Sequence, residues 1–210
     1  CCGSPSTMKV ILCIALLVVA ASALQAPTPA PAFTSTISFT VSDNQYEQSY
    51  FGTMYHDSAH AMQLVDIPND AFGRLERWDL SRVYSFNYAE HSCYSQASND
   101  RGQANLWYWL RSAAWKGNYQ ISGVVCQQWE YTYGDKHWAG CFAGNTPVAL
   151  AVASSAVKIQ YYFYDFTGSA PSSTIFTVPS YCSNSRGFAN TVRSEQTSSA
   201  RRDLLQHLSL

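Results

Sequence analysis

With 210 residues, 47% hydrophobic and 14% aromatic, the chain has the length and apolar content for one full-sized domain with a real core. Only 13% of residues are charged, about half the usual share for a soluble domain. A formal net charge of −1 excludes the simplest basis for nucleic-acid binding, a basic surface, and suits an extracellular β-protein.

Residues 1–7, CCGSPST, precede Met8 and read as leader sequence. Met8-Lys9, the apolar run Val10 to Ala20 and the A-x-A site Ala21-Ser22-Ala23 predict a secretory signal peptide over 8–23, cleaved before Leu24. That run is too short for a comfortable membrane span. Residues 24–35, LQAPTPAPAFTS, read as an extended Pro/Ala linker, and 36–183 as the folded β domain. Secretion leaves Cys93, Cys126, Cys141 and Cys182 in the mature chain, an even count that implies two disulfides with three possible connectivities.

Tyr50 to Asp57 and Ala59 to Ile67 predict a hairpin turning at Asp57-Ser58. Glu76 to Leu80 and Val83 to Tyr88 predict two more strands, His91 to Gln96 contains Cys93, and Ser98 to Gln103 reads as a polar loop. Leu106 to Trp115, LWYWLRSAAW, fits a short helix or a strand, and periodicity does not decide. Val148 to Ala153, Val157 to Phe166 and Thr174 to Val178 complete about nine strands of a mainly antiparallel architecture. Residues 184–210 form a polar tail, with Leu204, Leu205 and Leu208 on one face of a short amphipathic helix or a frayed end.

Gly123 to Cys141, GVVCQQWEYTYGDKHWAGC, carries the most specific expectation. A turn centred between Tyr133 and Gly134 makes opposed residue numbers sum to a constant, so that Cys126 faces Cys141, Trp129 faces Trp138 and Glu130 faces His137. The first pairing selects Cys126–Cys141 as one disulfide and leaves Cys93–Cys182 as the other. Alternation puts Val124, Cys126, Gln128 and Glu130 on one face, and Val125, Trp129 and Tyr131 on the other with Trp138 and Phe142.

The sequence has no G-x-S-x-G elbow, H-E-x-x-H pair, P-loop, EF-hand loop or spaced C-x-x-C, so the reading is non-enzymatic. His56, Asp57 and His60 flank a turn and are a possible metal cluster, set against Asp57 simply bonding its own backbone. Glu130 and His137 form an acid/base couple or an exposed cross-strand pair. Asp66, Asp79 and Asp165 lie in or beside apolar strands and need partners, with Arg74, Arg77 or Arg82 as candidates. The strongest hint is apolar: Trp107, Trp109, Trp129 and Trp138 with Phe142, Tyr161 and Phe163 are candidate lining of an aromatic ligand pocket, against the plainer reading as core.

Gln127-Gln128-Trp129, Pro147-Val148, the aromatic strand Ile159 to Phe166, the closing FTVPSYC from Phe176 to Cys182, and an opening G-x-x-Y-x-D at Gly52, Tyr55 and Asp57 resemble the ependymin-related family over residues 36–182. The resemblance implies a secreted domain of two antiparallel sheets curved into a half-open, LolA-like barrel around an apolar pocket. It also implies a lipid or other apolar ligand, a possible homodimer, possible calcium, and a role in adhesion or matrix. Its mid-domain-to-closing-motif disulfide agrees with Cys93–Cys182. The chain departs from the family at Asn145-Thr146, where a cysteine usually precedes Pro-Val, in its Cys126–Cys141 pair, and in lacking an N-x-[ST] sequon. The alternatives are a carbohydrate-binding β-sandwich with exposed tryptophans and an accessory domain of a secreted hydrolase.

Overall fold

The computed structural model describes residues 25–43, 45–98 and 105–184. The expected signal peptide and nearly all of the polar tail lie outside them, as does most of the polar loop. Eleven strands form one antiparallel sheet: β1 (Ala32–Ser42), β2 (Glu47–Asp57), β3 (Met62–Ile67), β4 (Phe72–Arg77), β5 (Arg82–Asn87), β6 (Ser92–Ala97), β7 (Ala114–Ile121), β8 (Val124–Tyr133), β9 (Lys136–Ala143), β10 (Thr146–Ala153) and β11 (Lys158–Thr167). Their order is β6-β5-β4-β3-β2-β1-β11-β10-β9-β8-β7, open at both ends.

This sheet is curved. A recess is lined by Gln63 and Glu76 from β3 and β4 and by Leu150 and Val152 from β10, five strand positions from β4 in the sheet order. In a flat sheet β4 and β10 would lie about 24 Å apart at the ordinary strand spacing. The two layers expected from the resemblance are thus the two halves of one continuous, hydrogen-bonded half-barrel.

Alternation sorts the two faces. The concave face carries Phe33, Ile37 and Phe39 of β1, Met54 of β2, Val65 of β3, Trp129 of β8, Trp138 and Phe142 of β9, Leu150 of β10 and Tyr161 and Phe163 of β11, all in one buried cluster. On the convex face, Leu64, Leu75, Tyr84 and Phe86 are covered by Phe176, Val178 and Tyr181. Cys182 ties this closing segment to Cys93 of β6 with an S–S distance of 2.05 Å. Part of the segment, Ser173–Phe176, is a 3-10 turn rather than the expected last strand, because it crosses the outside of the sheet and pairs with no strand edge.

A repeat underlies β3 to β6. Ala61, Ala71, Ser81 and His91 all have positive φ, 48° to 56°, at ten-residue intervals. Each closes a four-residue turn, and the turns are stitched across the sheet: Trp78 N–H donates to Ala61 O at 3.0 Å, Tyr88 N–H to Ala71 O at 2.7 Å, and Ser98 N–H to Ser81 O at 2.9 Å. The ten-residue period explains why β4 spans Phe72–Arg77 while Trp78–Leu80, expected as the end of a strand, is a turn.

At the other end of the chain, β1 begins at Ala32, inside the stretch read as linker. Pro27 and Pro29 before it are buried, and Thr28 N–H donates to Asn145 Oδ1 at 2.9 Å. The sequence reading missed this docking because buried prolines look like any Pro/Ala stretch until a partner surface exists.

In the β8–β9 hairpin Cys126 and Cys141 are bonded, with Cα atoms 5.4 Å apart. The register is nevertheless two residues from the expected one. Tyr133 pairs with Lys136 across a Gly134-Asp135 turn, Trp129 faces Gly140, Tyr131 faces Trp138, Thr132 faces His137 and Glu130 faces Ala139. Gly134 takes the positive φ, 61°, at the first turn position, where the expected turn would have required Tyr133 to take it. A two-residue shift preserves the faces, so Cys126 and Cys141 share a side and bond diagonally.

Candidate functional site

All seven aromatic candidates converge in the concave interior. Trp107, Trp109, Trp129, Trp138, Phe142, Tyr161 and Phe163 are each buried in the same cluster. Phe142 lies against both segment tryptophans, with ring centroids 5.6 Å from Trp107 and 6.3 Å from Trp109, and Trp107 lies 5.9 Å from Phe163. Phe39, Tyr161 and Tyr50 extend the stack along β1, β11 and β2. Burial, reinforced by the Glu76 charge, pushes the Tyr161 hydroxyl pKa well up, so it stays neutral.

Trp107 and Trp109 do not come from the sheet. Asn105 accepts the Trp107 N–H through Oδ1 at 3.0 Å and starts a tight turn, after which Tyr108–Ser112 forms a 3-10 helix. This resolves the helix-or-strand ambiguity: the first half is helical, and the second half becomes β7 from Ala114. The signal for the break was Asn105 ahead of an apolar run, an Asx turn that sequence periodicity does not register. The segment presses Leu106, Trp107, Trp109 and Leu110 into the hollow of the sheet.

Trp109 fits because β9 has Gly140 beneath it. A Cβ on Gly140 would lie 3.0 Å from Trp109 Cη2 and 2.7 Å from Phe142 Cε2. Sequence reading did not single out Gly140, since its need for space arises from how the Phe142 ring folds back and from Trp109, thirty-one positions away.

A recess of about 10 Å³, room for about one water, remains beside the segment. Asn105, Leu106 and Tyr108 wall it on one side, Trp138, Leu150 and Val152 on another, and Gln63, Glu76 and Trp78 form its polar end. The polar end belongs to a buried row on β2 to β4. His56 Nδ1 lies 3.1 Å from Gln63 Oε1, and Arg74 Nε donates to Glu76 Oε1 at 2.9 Å with both side chains almost fully enclosed. The interior is therefore apolar through most of its length and polar, with balanced charge, at one side.

The other candidates lie elsewhere. His56 faces the interior, whereas Asp57 points to the opposite face, accepts from Ala59 N–H and His60 N–H, and contacts His60 Nδ1 at 2.7 Å. That is the self-capped turn of the plainer reading. Among the described residues no group of three or more His, Cys, Asp or Glu side chains converges. Glu130 and His137 are not opposed: Glu130 accepts from Gln128 Nε2, and His137 Nδ1 lies 3.0 Å from Thr132 Oγ1. Asp79 has its arginine, Arg77, in a two-point pair at 2.6 and 2.8 Å, while Asp66 instead accepts from Tyr88 Oη at 2.9 Å. Among the described residues no helix is long and apolar enough to cross a membrane.

No protein-family model matches the chain, and no curated protein sequence matches it. Among solved structures it is similar to an uncharacterised conserved protein from Thermus thermophilus, at 8% identity and a TM-score of 0.46, covering 80% of this chain and 95% of that one. It is also similar to a LolA superfamily protein from Nitrosomonas europaea, at 12% identity and a TM-score of 0.39, covering 73% and 93%. A third similarity is to the Mycobacterium tuberculosis lipoprotein LppX, at 8% identity and a TM-score of 0.41, covering 79% and 99%. Likenesses this distant carry no argument about what the chain binds.

Proposed function

We propose that this chain is a secreted, non-catalytic module that holds a lipid or other apolar ligand against the concave face of its half-barrel. One observation supports the reading above all. Among the described residues an eleven-stranded sheet curves around an aromatic interior, and a short turn segment, Leu106 to Leu110, fills it in place of a second layer. Globular sheets ordinarily bury such a face under helices or another sheet. The recess of about 10 Å³ is far below the size of a typical ligand pocket, so a ligand is admitted by rearrangement of the segment.

Burial of the tryptophans favours this reading over sugar binding. Trp115 is the tryptophan that is substantially exposed, at 42%, and one ring does not make a stacking row. The ependymin-like relationship, with secretion, a homodimer and an adhesive role, belongs to the same proposal. It is supported by the order of the quoted motifs and by the Cys93–Cys182 bridge between the mid-domain and closing-motif cysteines.

Mass spectrometry of organic extracts from the purified protein, together with titration of a fluorescent fatty acid, tests the proposal. Recovery of stoichiometric lipid or saturable probe binding is the expected result. Absence of both defeats it.

A further inference from the structure

The backbone hydrogen bonds described for residues 105–113 close within the segment: Tyr108 N–H to Asn105 O, Leu110 N–H to Trp107 O, and Ala113 N–H to Leu110 O. Its side chains nevertheless provide a large share of the interior. Three indole N–H groups at this contact, those of Trp107, Trp109 and Trp129, are buried and meet no acceptor among the described residues. Permanent cores rarely leave buried donors unmet, and three together require an explanation.

From these observations we infer that residues 105–112 are a displaceable plug, the chain's own stand-in for the ligand, and that the incoming ligand is an amphiphile whose head carries hydrogen-bond acceptors. The inference rests on the apolar-ligand reading above. A short apolar segment whose described backbone bonds are local occupies the volume an acyl chain would take, and both fit the same wall of Phe142, Tyr161 and Phe163. When the plug leaves, Trp107 and Trp109 carry their N–H groups out to water. Trp129 is fixed on β8 opposite Gly140, so its N–H stays on the wall and donates to a carboxylate, ester or phosphate oxygen. The closed form thus holds donors that meet no acceptor among the described residues and that the liganded form satisfies, which biases the exchange toward ligand. Apparent affinity is then lowered by the small fraction of molecules with the plug out.

Two measurements on the full chain test this. Without ligand, hydrogen exchange at the bonded amides of Tyr108, Leu110 and Ala113 is expected to run about a hundredfold or more faster than at β8 and β9, as local opening requires. Exchange as slow as in those strands overturns the plug whatever the protein binds. With a fluorescent fatty acid as probe, Leu110→Ser and, separately, Leu106→Ser, each removing an apolar plug side chain and leaving the wall intact, are expected to bind about tenfold more tightly than wild type. Trp129→Phe is expected to weaken binding several-fold, since it removes one acceptor-facing donor. Unchanged affinity in both plug variants overturns the inference and leaves the ligand reading standing. Failure of wild type and all variants to bind the probe, with fast plug exchange, overturns the ligand reading instead.

Discussion

Trp109 lies directly over the bare backbone of Gly140, its Cη2 only 3.0 Å from where a Cβ would stand. Gly140 has no positive φ among the backbone outliers, so space alone calls for glycine here. Gly140→Ala should destabilise the free protein by about 1–3 kcal/mol, the usual cost of overpacking. In a double-mutant cycle with Trp109→Phe, denaturant melts should recover part of that loss. Additive effects would mean the two residues do not share the contact.

The repeated turns offer the opposite prediction. Ala71 and Ser81 hold left-handed backbone at φ 51° and 52° without being glycine or asparagine. Ala71→Gly and Ser81→Gly should each raise stability by about 0.5–1 kcal/mol, relief of strain exceeding the added freedom of the unfolded chain. Thermal unfolding of each single variant reads the sign directly.

The two disulfides differ in the loops they close, with separations of 15 and 89 residues. Replacing Cys126 and Cys141 by serine should cost about 3 kcal/mol, and replacing Cys93 and Cys182 about 4–5 kcal/mol, in the chain-entropy model. The second pair should also release the closing segment from the convex face. Proteolysis near Phe176 would then appear in that variant and not in the first.

Arg74 and Glu76 form an ion pair with side chains 2% and 3% exposed. Breaking it with Glu76→Gln should cost about 3–5 kcal/mol, because the guanidinium stays buried. Replacing both, as Arg74→Met with Glu76→Leu, should cost far less or nothing. Urea midpoints of the three variants distinguish a structural pair from one that the fold merely tolerates.

Acid should weaken the fold through two carboxylates. The two-point bond from Arg77 holds the Asp79 carboxyl below its ordinary value of 3.8. Burial raises Asp57, but the His60 hydrogen bond and the turn's backbone donors outweigh it and leave the net shift downward. A depressed folded pKa means stability that is present above pH 3.8 and lost as pH falls through the folded values. Asp79 is a third exposed, so its share stays within about 1 kcal/mol. Asp79→Asn should therefore flatten the stability–pH curve below about pH 4 and change little of its shape above.

Alternation along each strand was legible from residue order, because side-chain direction depends on local backbone geometry. That alone placed Trp129, Trp138 and Phe142 on one face and the two hairpin cysteines on the other, and it survived a register error because the error was two residues. The disulfide pairing was expected from direct opposition of Cys126 and Cys141; they are diagonal instead, and bond because the two-residue shift leaves them on one side. The ten-residue turn period was also present in the sequence, but its turns contain Ala, Ser and His where glycine would have marked them.

Register, curvature and the contents of the hollow were decided by tertiary structure. Gly134 rather than Tyr133 opens the turn because positive φ is cheap only for glycine, and that choice resets every cross-strand pair. Trp107 and Trp109 enter the interior because Gly140, Phe142 and Phe163 meet them from distant strands, contacts that no window of sequence contains. Local order determined which way each ring points, and only the closing of the sheet determined what the rings enclose.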